Sequence, residues 1–125
     1  MKRRIFSLLL ILCMAASLLP VGAAAAEAFS FSVAGGEATL IGCAETVTGD
    51  VTVPESYLGS PVTAIGERAF LNADRAGITS LTIPEGVKRI GRFACADLSN
   101  LTAVTLPRSL EILEEGAFSG CASLQ

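Results

Sequence analysis

Histidine and tryptophan are absent from this chain of 125 residues, and tyrosine occurs once, as Tyr57. Without histidine neither a Ser-His-Asp triad nor a Cys-His pair can be assembled. The commonest protein ligand for transition metals is missing for the same reason. Cysteine is sparse: Cys13 lies in an apolar leader, and the spacing of Cys43, Cys95 and Cys121 matches no zinc site. Paired carboxylates can hydrolyse glycosides without histidine. However, Glu114 and Glu115 are sequence neighbours, which on most backbones point apart, and they read as solvated charges. The composition therefore points away from an enzyme, and no catalytic residue, cofactor or metal is expected.

Basic residues are also few, and three of the nine (Lys2, Arg3 and Arg4) stand at the extreme N-terminus. They precede an apolar run from Ile5 to Leu19, a break at Pro20 and Gly22, and a group of alanines. That layout is a secretory signal peptide over residues 1–26, cleaved after Ala26 or Ala28. The apolar run is shorter than the roughly 20 residues a membrane span needs, so no stable insertion is expected after cleavage. Leu12 before Cys13 is too large for a lipidation site. The processed chain keeps six basic residues against twelve acidic ones, or eleven if Glu27 leaves too, a net charge of −6 or −5. Such a product has no electrostatic footprint for nucleic acid or an anionic membrane surface. Three cysteines remain, so at least one thiol is left over even where export allows disulfides.

What the sequence does have is a period. Ile78-x-x-Leu81-x-Ile83-Pro84-x-x-Val87-x-x-Ile90 is followed by Leu101-x-x-Val104-x-Leu106-Pro107-x-x-Leu110-x-x-Leu113. The pattern starts at 78, 101 and 124, a step of 23 residues, which is the signature of a solenoid. Gly49 to Phe70 carries the same pattern with an insertion between Pro54 and Val62, expected as a loop on one edge. In each triplet (Val51-Thr52-Val53, Leu81-Thr82-Ile83, Val104-Thr105-Leu106) strand alternation turns the outer residues inward and the threonine outward. Proline then ends the strand. The Val87/Ile90 pair returns the chain along the opposite side, and Ala-Phe reads as a short helical turn. Before the repeats, two alternating runs flank Gly35-Gly36 and predict a β-hairpin that caps the first coil.

Together these features predict a repeat solenoid: a cap over residues 27–47, then coils over 48–125 with the last coil incomplete. The Ile-Gly-x-x-Ala-Phe segment, as in Ile65-Gly66 to Phe70, resembles the BspA-like leucine-rich repeat, also called the Treponema pallidum type. The resemblance implies a leucine-rich-repeat solenoid with short parallel strands and short helical or irregular turns. It also implies a secreted or cell-surface protein that adheres to proteins or surface components of a host or of other cells. The chain departs from the repeat at Cys95, in the phenylalanine place, with Phe93 nearby to refill the volume. Leu98 stands in the cysteine place and Glu114 in a glycine place. Buried, unpaired thiols are the expected state, with a Cys95–Cys121 disulfide as the alternative.

The repeat grid nominates the site. Thr52, Thr82 and Thr105 share one offset, and Asp50 and Ser80 share the next, with Ala103. These five polar residues form the candidate binding surface, because extended solenoid faces are the usual recognition surfaces of repeat proteins. The same grid aligns Glu67, Arg92 and Glu115, and Thr63, Lys88 and Glu111, as columns of alternating charge. The open edge of the last coil is a template for end-to-end self-association. A spacer role within a longer surface protein is the second reading.

Overall fold

The computed structural model of the chain describes residues 28–124, so the leader and its cleavage sites lie outside the described residues. Strands β1 (Phe29–Ala34) and β2 (Glu37–Cys43) pair antiparallel around Gly35-Gly36. Both glycines adopt positive φ, 60° and 78°, as a two-residue hairpin turn requires. Seven short strands follow: β3 (Gly49–Thr52), β4 (Ser56–Tyr57), β5 (Ser60–Ile65), β6 (Ile78–Thr82), β7 (Arg89–Ile90), β8 (Ala103–Thr105) and β9 (Ile112–Leu113).

These strands build a leucine-rich-repeat solenoid of three coils. Each coil gives one strand to each of two sheets. One sheet runs β3-β6-β8, all parallel. The other runs β1-β2-β5-β7-β9, parallel except at the hairpin. The second sheet is narrow because only two residues per regular coil are extended there. Its backbone rungs are nevertheless short: Lys88 N–H donates to the Thr63 carbonyl at 2.8 Å, and Glu111 N–H to that of Lys88 at 2.8 Å.

The core lies between the sheets. Leu81 and Ile83 face it from β6 and the residue after it, Val87 and Ile90 from the return side, and Phe70 and Leu98 from the corners. All are buried, so the two-residue period of the triplets and the wider spacing of the return pair feed one interior. Polar side chains tie coil to coil at the rim. Thr102 Oγ1 donates to the Thr79 carbonyl (3.1 Å), Asn100 Nδ2 to that of Ala76 (2.7 Å), and Ser123 Oγ to that of Ser99 (2.8 Å).

Gly91 allows the coils to approach on the return side. A Cβ there would lie 2.9 Å from the Glu67 nitrogen and 3.0 Å from the Ile65 oxygen, both backbone atoms of the preceding coil. Gly66 makes the same kind of approach, to the Leu40 carbonyl of the cap.

Three local expectations need correction. The Ala-Phe corners are chains of i→i−3 turns, such as Leu71 N–H to Arg68 and Ala73 N–H to Phe70, and not a helical turn. The cause is a left-handed residue in every corner: Arg68 (φ 56°), Phe93 (φ 53°) and Gly116 (φ 69°) break any right-handed continuation. For that reason Phe93 does not refill the core beside Cys95. Its ring sits half-buried at the corner, with the Arg68 guanidinium 5.3 Å from its centroid, and it occupies the space a Cβ on Gly116 would need. Finally, the insertion after Pro54 is a second small hairpin, with Ser56 opposite Pro61 and Tyr57 opposite Ser60. Leu58 (φ 50°) and Gly59 (φ 85°) form its two-residue turn. The Tyr57 ring stacks on Phe31 at 4.7 Å, and Phe29 links Phe31 to Phe70, with ring centroids 6.4 Å apart in each pair. The cap is thereby held to both the insertion and the core.

Candidate interaction face

The three-stranded sheet brings all five nominated residues onto one surface. Thr52 pairs in register with Thr82, and Thr82 with Thr105. Asp50 pairs with Ser80, and Ser80 with Ala103. Because parallel strands in register stack like positions, two rows run across the coils. Thr52, Thr105 and Asp50 are exposed, while Ser80 and Thr82 are half-buried between their neighbours. Ser80 Oγ donates to Asp50 Oδ1 at 2.8 Å, which ties the carboxylate to the neighbouring coil. The surface offers hydroxyls, methyl groups and one carboxylate, and no aromatic anchor.

The charge columns form as backbone columns, but the ion pairs fall elsewhere. Arg89 Nη2 lies 3.0 and 3.1 Å from the two carboxylate oxygens of Glu114. Arg75 approaches Asp97 at 3.5 Å, and Arg68 approaches Glu67 at 3.9 Å. The grid fixes where a side chain starts, whereas arginine is long enough to reach diagonally. Glu114 is accordingly not a simple solvated charge, because its Oε1 also accepts the Arg92 N–H at 3.1 Å. In the glycine place of the last coil it keeps the backbone approach as well: its N–H donates to the Ile90 carbonyl at 3.0 Å, as that of Gly91 does to Ile65 at 2.7 Å. Glu115 is exposed.

All three described cysteines are free thiols. The Cys95–Cys121 alternative is not taken: the Cys121 thiol instead donates to the Cys95 carbonyl at 3.1 Å. Burial pushes the Cys43 thiol up to about 11 and lifts Cys95 well above the usual thiol range. Cys121 is raised as well, mainly by burial. Raised thiols are poor nucleophiles and poor metal ligands at neutral pH.

An open depression of about 580 Å³ lies at the expanded corner, lined by Glu45 and the 71–75 segment. Asp74 there is occupied with the Gly77 N–H (3.1 Å) and the Thr48 hydroxyl (3.4 Å). No group of three or more metal-ligating side chains occurs among the described residues. No helix among them is long and apolar enough to cross a membrane. Sequence reasoning missed the Tyr57-Leu58 hairpin and the Arg89–Glu114 pair. Gly59 two residues after Tyr57 was the available turn signal for the hairpin.

Parallel strands recurring once per coil, an apolar interior and a polar strand face define a leucine-rich repeat protein, a fold that proteins use for binding other proteins. A family model described as the BspA type leucine-rich repeat region (6 copies) matches residues 50–125. The chain belongs to the BspA-type leucine-rich repeat family.

Among solved structures, the fold is similar to the T. pallidum leucine-rich repeat protein, with a TM-score of 0.69 and 21% identity over 85% of this chain and 47% of that one. It is also similar to a leucine-rich repeat protein from Bacteroides ovatus, with a TM-score of 0.64 and 26% identity over 78% of this chain and 27% of that one. A third, from Bacteroides capillosus, has a TM-score of 0.56 and 26% identity over 77% of this chain and 86% of that one. The chain thus spans about half the length of the first and about a quarter of the second. A search of curated proteins gave no match.

Proposed function

We propose that this is an exported, non-catalytic interaction module that adheres to proteins or surface components of a host or of other cells through the β3-β6-β8 face. The observation that carries the reading is the in-register alignment of Thr52, Thr82 and Thr105 across all three coils, with Asp50 and Ser80 beside them. The basic leader supports export, and the acidic balance of the remainder suits protein partners better than nucleic acid. Hydroxyl rows without aromatic anchors favour modest affinity per molecule.

The test is to immobilise the purified chain and measure capture of extracellular-matrix proteins and of intact bacterial cells. The comparison variants are Thr82→Glu and Thr105→Glu, whose side chains leave the core untouched. Capture by the natural chain, reduced in both variants, is the expected result. No capture, or capture unchanged in both, overturns the strand-face assignment.

A second reading is a cap and structural spacer in a longer surface protein. It is favoured by the asymmetry of the two ends: the hairpin covers the first coil, while Leu106, Ile112 and Leu113 of the last are about half exposed. Capture lost from this chain but present in a longer product of the same gene supports that reading.

A further inference from the structure

We infer that the outer edge of β1 is a self-pairing surface that joins two copies of this chain head to head. β1 ends its sheet, and among the described residues nothing pairs with its outer side. Edge strands are normally blunted by charge, proline or a bulge. β1 has none of these: Phe29-Ser30-Phe31-Ser32-Val33-Ala34 carries no charge and no proline, and the register shift of the hairpin skips Ile41 on β2. In a chain with an excess of acidic residues, this neutral edge is where a second copy meets least repulsion.

Two features specify a copy of the same chain. The first is composition. Apolar-Ser-Phe-Ser-apolar is a chemical palindrome centred on Phe31. Antiparallel pairing of two such strands about a two-fold axis sets Phe31 against Phe31, Ser30 against Ser32, and Phe29 against Val33. An isologous contact requires this self-complementarity.

The second is backbone direction. Ala34 and Glu37 close the two-residue turn as partners, and the Ala28 carbonyl accepts the Ala44 N–H at 2.8 Å. Even-numbered residues therefore turn their peptide groups toward β2. By strict alternation, Phe29, Phe31 and Val33 turn theirs outward. The residues the palindrome places in pairs are the ones with free N–H and C=O groups.

The geometry has further support at the axis. Tyr57 stacks beneath Phe31 and holds it in place. Leu58, the next residue, is 86% exposed in a left-handed conformation that leucine rarely adopts, and Val33 is 48% exposed. Pairing brings these apolar groups toward their copies. The five-stranded path would become one continuous sheet across both molecules, with the β3-β6-β8 faces left free. Self-association of this kind stands whether or not the strand face binds a partner.

The experiment is sedimentation equilibrium of the purified full chain over a concentration series, alongside three variants. Ser30→Lys/Ser32→Lys and Ser30→Glu/Ser32→Glu place like charges opposite each other across the axis. Val33→Pro removes an outward N–H without touching the β2 pairing. The natural chain is expected to dimerise, and each variant to weaken the dimer about tenfold or more, with unchanged circular dichroism. Mixing the lysine and glutamate variants is expected to restore a heterodimer, because every cross-axis pair becomes Lys–Glu. A natural chain that stays monomeric overturns the inference, as does a dimer insensitive to all three variants. Charge variants that stay apart on mixing overturn the register.

Discussion

The second and third coils carry nearly the same pattern, and the structure treats them differently. Ile83 and Leu106 occupy one column, as do Ile90 and Leu113, yet Ile83 is 2% exposed and Leu106 44%. Ile90 is fully buried and Leu113 is 53% exposed. Residue type does not explain the contrast, since both coils offer large aliphatic side chains at these places. Neighbours do: the second coil is covered on both sides by described residues and the third on one. A solenoid coil therefore owns only half of its core, and the rest is lent by the coils above and below.

The contrast is sharpest at sulfur. Cys95 belongs to the doubly covered coil and is fully buried, whereas Cys121 is partly exposed in the third. In native buffer near pH 8, a thiol reagent is expected to modify Cys121 first. Cys95 should react only through opening of the fold, slower by about a thousandfold for an opening free energy of about 4 kcal/mol. Comparable rates would show that the second coil opens on its own. The thiols also give a pH dependence. A free thiol ionises near 9.0, and folded Cys43 only near 11. The unfolded chain loses the proton first, so stability is full below pH 9 and falls as pH rises toward 11. A Cys43→Ala variant should flatten that decline in urea titrations.

Truncation at matched places comes next in size. Ile83→Ala is expected to cost about 3–4 kcal/mol, within the range for fully buried aliphatic side chains. Leu106→Ala should cost about 1 kcal/mol or less, because much of its surface is already in water. Urea unfolding of both variants measures the difference. Equal costs would mean that the third coil is covered in solution by something else.

The smallest expected effect is at Glu114, which bonds Arg89 and the Arg92 N–H between the two coils. Arg89 is more than half exposed, so solvent screens the pair, and Glu114→Gln should destabilise by about 0.5 kcal/mol. That difference should shrink in high salt. A larger, salt-independent loss would overturn the ion-pair account, because glutamine keeps an oxygen that can accept the Arg92 N–H.

The same two coils show how far the sequence was legible. The 23-residue step placed β8 from β6, and the same apolar-Thr-apolar triplet ahead of the insertion placed β3, because strand alternation constrains those positions. The hairpin was legible from Gly35-Gly36, whose φ values only glycine adopts freely. The corners were not. Phe93 looked like a core replacement since an aromatic near a missing aromatic suggests compensation, and nothing local announces that its φ is positive. Leu58 escaped for the same reason, because leucine is no turn signal. The ion pairs were misplaced, since offsets fix Cα positions while Arg89 reaches past its in-register partner Ile112 to Glu114. Of the candidate face, the positions were readable and the Ser80–Asp50 bond was not, as it depends on rotamers that only packing selects.

The threonine row also has a metric. Parallel strands lie about 4.8 Å apart, so the three threonines occupy about 9.6 Å, like marks on a ruler. An extended chain laid across the coils presents same-side groups about every 6.7 Å, and therefore drifts out of phase with the marks after a single step. A ligand that met all three threonines equivalently would itself need a pitch near 4.8 Å, which is the spacing between the strands of another sheet rather than between residues of one strand.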